Sequence, residues 1–248
     1  MKIYVVTHKP TNYKLPDGYS FMQVNAANNS VFCSLNDALG EDNISLKNPY
    51  YCELTAAYWV WKNDKQSQIV GLAHYRRFLT TNRFSASTKN YITAKKAEKL
   101  LNKFDFISTK QYKSGCTVKE HLLENVRERD FNILRSVVES TNADYINAFD
   151  KVFAGRKSYL LNMFICKKTL WDDYYKWLFT IFTEMEKYVD MTGYSVQEQR
   201  LYGFLSERLF TVYVNKNGYK VKSFPTHIVG VSKWQILFEK IGKIFQKR

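Results

Sequence analysis

A short apolar run at residues 69–73 predicts a buried strand, and side chains able to bind anions follow it at once: His74, Tyr75, Arg76 and Arg77. In open α/β sheets, ligands bind beyond the carboxyl ends of the strands. Two adjacent guanidiniums at such a place suit a phosphate or diphosphate, which they bind through paired hydrogen bonds. The structural alternative is an ion pair between either arginine and an acid such as Glu53.

A second polar group follows the first apolar run of the chain. Residues 2–6 predict a strand, and Thr7, His8 and Lys9 come after it, just before Pro10. Polar residues and a proline directly after a buried strand favour a loop that faces a ligand. The two polar groups therefore predict one binding edge.

The elements that must position these side chains follow from hydrophobic periodicity. Residues 48–63 predict a helix with Asn48 as its N-cap and Pro49 as its first helical residue. The apolar pattern predicts further strands at 21–24, 104–108, 159–166, 211–214 and 220–224, and helices at 94–104, 117–140, 170–187 and 196–210. Residues 25–47 are polar and irregular, and 142–157 indicate surface or acceptor-side material. Alternating strands and helices with no linker predict a single α/β domain over 1–230, with a mixed sheet flanked by helices.

Charge narrows the classes of partner. The chain has 248 residues and a net charge of +14, so an anionic partner is expected: nucleic acid, an anionic membrane surface or a nucleotide-linked substrate. The basic residues are spread along the chain, without zinc-finger spacing or an arginine-rich arm. Nucleic acid therefore ranks below the other two.

Cysteine usage and hydropathy indicate the compartment. Cysteines 33, 52, 116 and 166 are far apart in the sequence, which favours reduced, buried thiols in a cytosolic protein over a disulfide or zinc framework. We expect no signal peptide, because a strand pattern occupies the start of the chain. No window approaches the ~18 apolar residues of a membrane span.

The segment 231–248 has a pattern of its own. Its apolar side chains fall on one helical face and its lysines on the remainder, which predicts a C-terminal basic amphipathic helix. Such a helix can lie on an anionic membrane. The alternative is a terminal helix that packs on its own domain.

Four blocks occur together and in order, at residues 48–55, 71–78, 162–165 and 203–209. This combination resembles the bacterial capsular and exopolysaccharide synthesis family, glycosyltransferase-like proteins long catalogued as a domain of unknown function. The resemblance covers roughly residues 2–228. It implies a GT-A-like (Rossmann-type) glycosyltransferase of surface polysaccharide synthesis. Together with the net charge and the basic helix predicted at 231–248, this leads us to expect a cytoplasmic protein, peripheral on the inner face of the cell membrane. UDP-galactofuranose or another UDP-hexose is the implied donor, since some members are thought to be galactofuranosyltransferases, and a lipid-diphosphate-linked glycan is the acceptor.

The resemblance also gives the candidate residues roles in donor binding. It implies that Thr7, His8 and Lys9 surround the nucleotide. The GT-A fold normally places an Asp-x-Asp metal site at the end of a middle strand, where this chain has residues 74–77 instead. Arg76 and Arg77 then offset the leaving-group charge in place of a metal, with His74 as a hydrogen-bond donor and Tyr75 beside them. A divalent metal, Mn or Mg, stays open as part of a retaining, metal-dependent alternative.

The acceptor side is assigned in the same way. Asn162 is implied to bind a sugar hydroxyl, or else to hold its own loop. Inverting transfer needs a carboxylate base, and Glu207 is the first candidate, with Arg200 and Arg208 keeping it ionised in the substrate site. The reserves are Asp150 and Glu198. A structural Glu–Arg pair is the alternative for Glu207, and a basic scaffold or nucleic-acid-binding protein is the non-enzymatic alternative for the chain.

Overall fold

The computed structural model describes residues 1–82 and 87–231. Its strands are β1 (Lys2–Thr7), β2 (Tyr19–Gln23), β3 (Ile69–His74), β4 (Arg77–Leu79), β5 (Phe106–Thr109), β6 (Tyr112–Lys113), β7 (Lys157–Ser158), β8 (Phe164–Lys167), β9 (Val221–Phe224) and β10 (Thr226–Ile228). Its helices are α1 (Asn48–Tyr51), α2 (Leu54–Asn63), α3 (Ala94–Leu101), α4 (Val118–Leu123), α5 (Glu128–Thr141), α6 (Ile146–Ala154), α7 (Lys168–Met185), α8 (Val196–Gln199) and α9 (Leu201–Asn217). The predicted α/β class with a mixed sheet is confirmed.

The main sheet has the strand order β2-β1-β3-β8-β5-β9. The short strand β4 pairs with the end of β3, where His74 is opposite Arg77, and β10 pairs with β4. β8 runs antiparallel to both of its neighbours, β3 and β5, whereas the β1–β2, β1–β3 and β5–β9 pairs are parallel. The start of β8 therefore lies at the same edge as the carboxyl ends of β1 and β3. This topology brings residues 161–162 close to residue 74.

Two apolar layers cover the sheet. On β1, Tyr4 and Val6 belong to the larger core beneath α2, α7 and α9, whereas Ile3 and Val5 belong to a smaller core with α3. This alternation is the period of two expected for a strand buried on both faces. At Gly71 an added Cβ would lie 2.8 Å from the Phe164 carbonyl oxygen, so the close contact of β3 with β8 requires glycine.

The predicted helix at 48–63 is wrong in one respect, because it is broken into α1 and α2. Cys52 has φ 52° and ψ −129°, which no helix accommodates. The Asn48 amide donates to the Cys52 carbonyl at 2.7 Å and to the Thr55 hydroxyl at 2.9 Å, and both bonds stabilise the break. The N-cap is Lys47, and Asn48 is the first helical residue.

Three further predictions needed correction. The strand predicted at 159–166 begins only at Phe164, because Leu161 and Asn162 have φ values of 78° and 50°. The strand predicted at 211–214 is wrong, since these residues continue α9. All four side chains are buried, although they point to different sides of α9. Their sequence therefore lacks the polar positions of an amphipathic helix and resembles an apolar strand. Residues 142–157, predicted to be surface or acceptor-side material, contain α6, whose Phe149, Val152 and Phe153 are buried.

The remaining predictions concern the thiols and the membrane. All four cysteines are free, but only Cys166 is fully buried and the other three are partly exposed. Within residues 1–82 and 87–231, no helix is long and apolar enough to cross a membrane. The predicted amphipathic helix at 231–248 lies outside the described residues from position 232 onward.

Candidate functional site

A cavity of about 670 Å³ opens at the edge where β1 and β3 end. Basic side chains line it at five positions: His8, His74, Arg76, Arg77 and Arg200. Two carboxylates, Glu53 and Glu207, line it as well. The cavity thus combines groups that attract an anion with groups that accept hydrogen bonds.

The turn at residues 75–76 connects β3 to β4; Arg76 is its last residue, and Arg77 is the first residue of β4. The backbone of the turn is tight, since His74 pairs directly with Arg77 across the two strands. Both arginines are exposed, and neither guanidinium has a hydrogen bond or ion pair to any residue in the described ranges. The alternative of an ion pair with Glu53 is therefore absent from this structure, and both positive charges remain available to a ligand.

The loop after β1 lies beside this turn. The His8 imidazole packs edge-on against Tyr75, with ring centroids 5.3 Å apart, and the Lys9 ammonium lies 5.4 Å from the Tyr75 centroid. Burial, and secondarily the charge of Lys9, lower the pKa of His8 below its usual value. Thr7 is buried, and its hydroxyl donates to the Lys9 carbonyl oxygen at 2.5 Å. It shapes the loop, and neither Thr7 nor Lys9 lines the cavity.

The turn at residues 161–162 borders the cavity from the side of β8. The Leu161 carbonyl oxygen accepts a hydrogen bond from His74 Nε2 at 2.7 Å, so Nε2 carries a hydrogen and Nδ1 is left for other contacts. The Leu161 N–H donates to Glu207 Oε1, also at 2.7 Å. One residue therefore connects the donor histidine to the candidate base.

Asn162 acts behind the surface of the cavity. Its amide nitrogen donates to Glu53 Oε1 at 2.7 Å and to the Gly203 carbonyl oxygen at 3.3 Å. The side chain was predicted to bind a sugar hydroxyl or to hold its loop. In this structure its donors go to a carboxylate and to the backbone of α9.

Glu207 lies on α9 with its carboxylate against the Arg208 guanidinium, at an N–O distance of 2.5 Å. The side chains are 16% and 3% exposed, respectively. Burial raises the pKa of Glu207 to about 7; the charge of Arg208 opposes this and that of Glu53 adds to it. A carboxyl group that titrates near neutrality is suited to accept a proton.

Arg208 is held from three sides. One of its nitrogens donates to Glu207 and to the Phe204 carbonyl oxygen, the latter at 3.1 Å, and another lies 3.2 Å from His121 Nδ1. It does not line the cavity, so it acts on a ligand only through Glu207. Arg200 does line it, and its Nε lies 3.4 Å from the Cys52 sulfur.

The two reserve carboxylates lie elsewhere. Asp150, on α6, accepts two hydrogen bonds from Arg135 at 2.9 and 2.7 Å and is exposed. Glu198 caps α8 through Ser195 and accepts from Arg127 at 2.6 Å. Neither lines the cavity. Glu207 is thus the candidate base that the structure brings together with the arginines.

Sequence reasoning missed the backbone strain around the cavity. Among the described residues, positive φ values at non-glycine positions occur at Asn25, Cys52, Leu161 and Asn162. The first three line the cavity, and the fourth holds Glu53. Strain of this kind persists where surrounding structure enforces it, and it clusters at functional sites. Glu53 itself, considered from sequence only as an ion-pair partner, is a lining residue.

The described part of the chain contains no group of three or more His, Cys, Asp or Glu side chains placed to hold a metal ion. At the strand end where the Asp-x-Asp was sought, the structure has residues 74–77, as the sequence indicated.

Comparison with known structures confirms the fold class. A solved structure described as the WbbM bifunctional glycosyltransferase in its apo form superposes with a TM-score of 0.84 at 31% identity. The match covers 93% of this chain and 45% of that one, so this chain spans less than half of that protein's length. No curated protein matches the sequence. The model of a domain of unknown function, DUF4422, matches residues 2–218, nearly the whole described chain. The chain therefore belongs to the DUF4422 family.

Proposed function

We propose that this chain is a nucleotide-sugar-dependent glycosyltransferase of surface polysaccharide synthesis, with a GT-A-like fold. The observation that carries the proposal is that one cavity is lined both by Arg76 and Arg77, which have no ion pair with any described residue, and by two carboxylates, Glu53 and Glu207. A nucleotide sugar is complementary to such a lining, because its diphosphate is anionic and its sugar is rich in hydroxyl donors. The likeness to a protein described as a glycosyltransferase supports the same conclusion.

Arg76 and Arg77 bind the donor diphosphate in this proposal. Their guanidiniums are exposed at the cavity and have no acidic partner in the described ranges, so a bound diphosphate displaces no existing ion pair. Fork-shaped guanidiniums bind phosphate oxygens through charge-assisted pairs of hydrogen bonds. His74 Nδ1 and His8 contribute further contacts, and Tyr75 borders the nucleoside, with Thr7 and Lys9 shaping the loop that carries His8. UDP-galactofuranose leads the donors, with other UDP-hexoses next.

Glu207 is the base of an inverting transfer. The acceptor hydroxyl oxygen forms a bond to the anomeric carbon while its proton passes to the Glu207 carboxylate. The bond from that carbon to the diphosphate oxygen breaks, and UDP leaves with the electron pair. Arg76 and Arg77 stabilise the charge that develops on the leaving diphosphate. The hydrogen bonds from Leu161 and Arg208 leave lone pairs on the carboxylate for the incoming proton.

The acceptor in this proposal is a lipid-diphosphate-linked glycan at the cytoplasmic face of the membrane. The net charge of +14 supports an anionic, membrane-held partner. The amphipathic helix predicted at 231–248 supplies the membrane contact. Vesicle flotation with anionic lipids, comparing the full chain with one ending at residue 231, tests that part separately.

Titration calorimetry with UDP, with and without manganese, tests the donor site. We expect UDP to bind without metal and the double variant Arg76→Ala/Arg77→Ala to weaken binding about 100-fold, since hydrogen bonds to charged groups contribute about 1.5–3 kcal/mol each. The control is Lys95→Ala/Lys99→Ala, which removes two exposed charges from α3. Binding only with manganese would favour the retaining, metal-dependent alternative. Salt-sensitive binding of oligonucleotides without UDP binding would favour the basic scaffold.

Glu207→Gln tests the base. We expect the transfer rate to fall roughly 10²–10⁴-fold, the usual contribution of a general base, while UDP affinity is unchanged. Asp150→Gln is the control, because that carboxylate lies outside the cavity. A Glu207→Gln variant with full activity would remove Glu207 from the reaction.

A further inference from the structure

A second carboxylate in the cavity, Glu53, has a different environment from Glu207. It directly precedes α2 and lines the cavity, and its Oε1 accepts a hydrogen bond from Asn162 at 2.7 Å. Glu207 has Arg208 against it, whereas no Lys, Arg or His of residues 1–82 and 87–231 forms an ion pair with Glu53. Within these residues, Asn162 fixes one oxygen of Glu53, the other oxygen has no hydrogen-bond donor, and the charge of Arg200 acts on Glu53 without an ion pair.

In the free protein this second oxygen is open to the cavity and is not among the buried polar atoms that lack a partner. A partly buried carboxylate loses hydration, and hydrogen bonds or a cation normally compensate that loss. The hydrogen bond from Asn162 compensates the loss at one oxygen. The Asn162 side chain is held by its bond to the Gly203 carbonyl oxygen, and its backbone has a left-handed φ of 50°. The Oε2 atom of Glu53 has no protein donor in the described part of the chain. It is therefore an acceptor held ready at the cavity surface.

We propose that Glu53 binds a hydroxyl group of the sugar in the cavity, accepting its hydrogen bond at Oε2, and that Asn162 is the positioning residue that orients it. This inference rests on the proposed glycosyltransferase function and assigns the sugar-binding side of the same site. An ionised carboxylate is an acceptor only, so it suits a hydroxyl donor and repels a phosphate. It therefore separates the sugar end of the ligand from the diphosphate end at Arg76 and Arg77.

The hydroxyl belongs either to the sugar being transferred or to the acceptor sugar, and two binding measurements separate these sources. The first compares UDP with UDP-galactose, UDP-glucose and UDP-galactofuranose by calorimetry. The second titrates octyl β-galactoside into the UDP complex. The variants are Glu53→Gln, which replaces one acceptor oxygen by a donor nitrogen, and Asn162→Gly, which keeps a residue tolerant of positive φ and removes the amide. Glu98→Gln, an exposed carboxylate on α3, is the control for loss of charge.

We expect Glu53→Gln to leave the affinity for UDP within about twofold and to weaken the sugar-containing ligand tenfold or more, as loss of a hydrogen bond to a charged group implies. We expect Asn162→Gly to weaken binding of the same sugar-containing ligand as Glu53→Gln does, and Glu98→Gln to weaken binding of neither ligand. A loss confined to the UDP-hexoses assigns the hydroxyl to the donor, and one confined to the galactoside assigns it to the acceptor. Thermal unfolding of each variant without ligand confirms that it folds.

Unchanged sugar binding by Glu53→Gln would overturn the inference while leaving the donor site intact. An equal loss for UDP and for the UDP-hexoses would also overturn it, because the effect would not be specific to the sugar. Failure of the wild-type protein to bind UDP at all would overturn the proposed function, and this inference with it.

Discussion

Two turns border the same cavity and differ in how their polar groups are satisfied. The 75–76 turn contains Arg76 and leads directly into Arg77; both are exposed, and their guanidiniums lack partners within the described ranges. The 161–162 turn is hydrogen-bonded on both sides, to His74, Glu207, Glu53 and the backbone of α9. The first turn leaves positive charge available for a ligand. The second holds carboxylates in place before any ligand arrives.

The difference follows from what each region does in the proposed reaction. Charge that binds a diphosphate is most effective when no internal anion has to be displaced first. A base must instead be fixed in position and must have its pKa adjusted, and burial beside Arg208 does both for Glu207. The comparison therefore predicts that substitutions around Glu207 change stability, whereas substitutions in the 75–76 turn change binding alone.

The largest expected effect comes from removing the cation beside Glu207. Arg208→Met leaves a buried carboxylate without its partner, and breaking such a pair lowers the free energy of unfolding by about 3–5 kcal/mol. Urea denaturation at pH 8.5, where Glu207 of the wild type is ionised, measures it. The matched control is Arg135→Met, which breaks the exposed pair with Asp150 and should change stability by at most about 1 kcal/mol. Equal small losses in both variants would contradict the comparison.

The raised pKa of Glu207 predicts a dependence of stability on pH. Its folded value is about 7 against an ordinary 4.5, so between these pH values the unfolded chain releases a proton that the folded protein retains. Stability from this group is complete below pH 4.5 and is lost as the pH rises through 7. From pH 5 to 8 we expect the free energy of unfolding of wild type to fall by about 2–3 kcal/mol relative to that of Glu207→Gln, at about 1.4 kcal/mol for each unit of pKa shift.

The control for this pH dependence is Glu198→Gln. The Arg127 side chain and the Ser195 cap hold the pKa of Glu198 at about 2, so this group stays ionised throughout the window and contributes no slope. The variant should follow the wild-type curve from pH 5 to 8. Parallel curves for wild type and Glu207→Gln would show that Glu207 titrates at an ordinary pKa.

Backbone strain at the cavity gives a smaller effect. Cys52 has φ 52° and ψ −129°, a conformation that glycine adopts without penalty. We expect Cys52→Gly to be more stable than Cys52→Ala by about 1 kcal/mol, since release of strain exceeds the entropy that glycine adds to the unfolded chain. The alanine variant also lacks the thiol, so the pair isolates the backbone contribution. Thermal unfolding of both variants measures it, and a less stable glycine variant would argue against strain.

Local sequence signals predicted the frame of the fold but not its interruptions. β1, β3 and α7 are apolar runs or periodic stripes, and the structure has them within a few residues of the prediction. The break at Cys52 and the 161–162 turn have positive φ at non-glycine residues, which tertiary contacts enforce and composition does not reveal. Residues 211–214 were mistaken for a strand because a helix buried on all sides has no polar face.

The candidate site was likewise predicted in part from the sequence. The strand-end rule located His8, His74 and the two arginines, because it depends only on where apolar runs end. Glu207 was found through a resemblance, and no spacing in the chain could have revealed that Asp150 pairs with Arg135 instead of entering the cavity. The role of Glu53 depends on a contact with Asn162, 109 positions away in sequence. Contacts of that kind exist only after folding.

The smallest expected effect concerns the arginines themselves. Arg76→Ala/Arg77→Ala should change the free energy of unfolding by no more than about 0.5 kcal/mol, as is usual for exposed side chains without partners. The same variant should lose the stabilisation that UDP gives to wild type, since a ligand stabilises only the protein that binds it. Urea denaturation with and without UDP measures both. A loss above about 1 kcal/mol without ligand would mean that the arginines help to hold the fold, because only groups that the native state uses can destabilise it when removed. The 75–76 turn would then contribute to stability as the 161–162 turn does, and the contrast between them would fail. The weaker UDP binding would no longer identify a diphosphate contact.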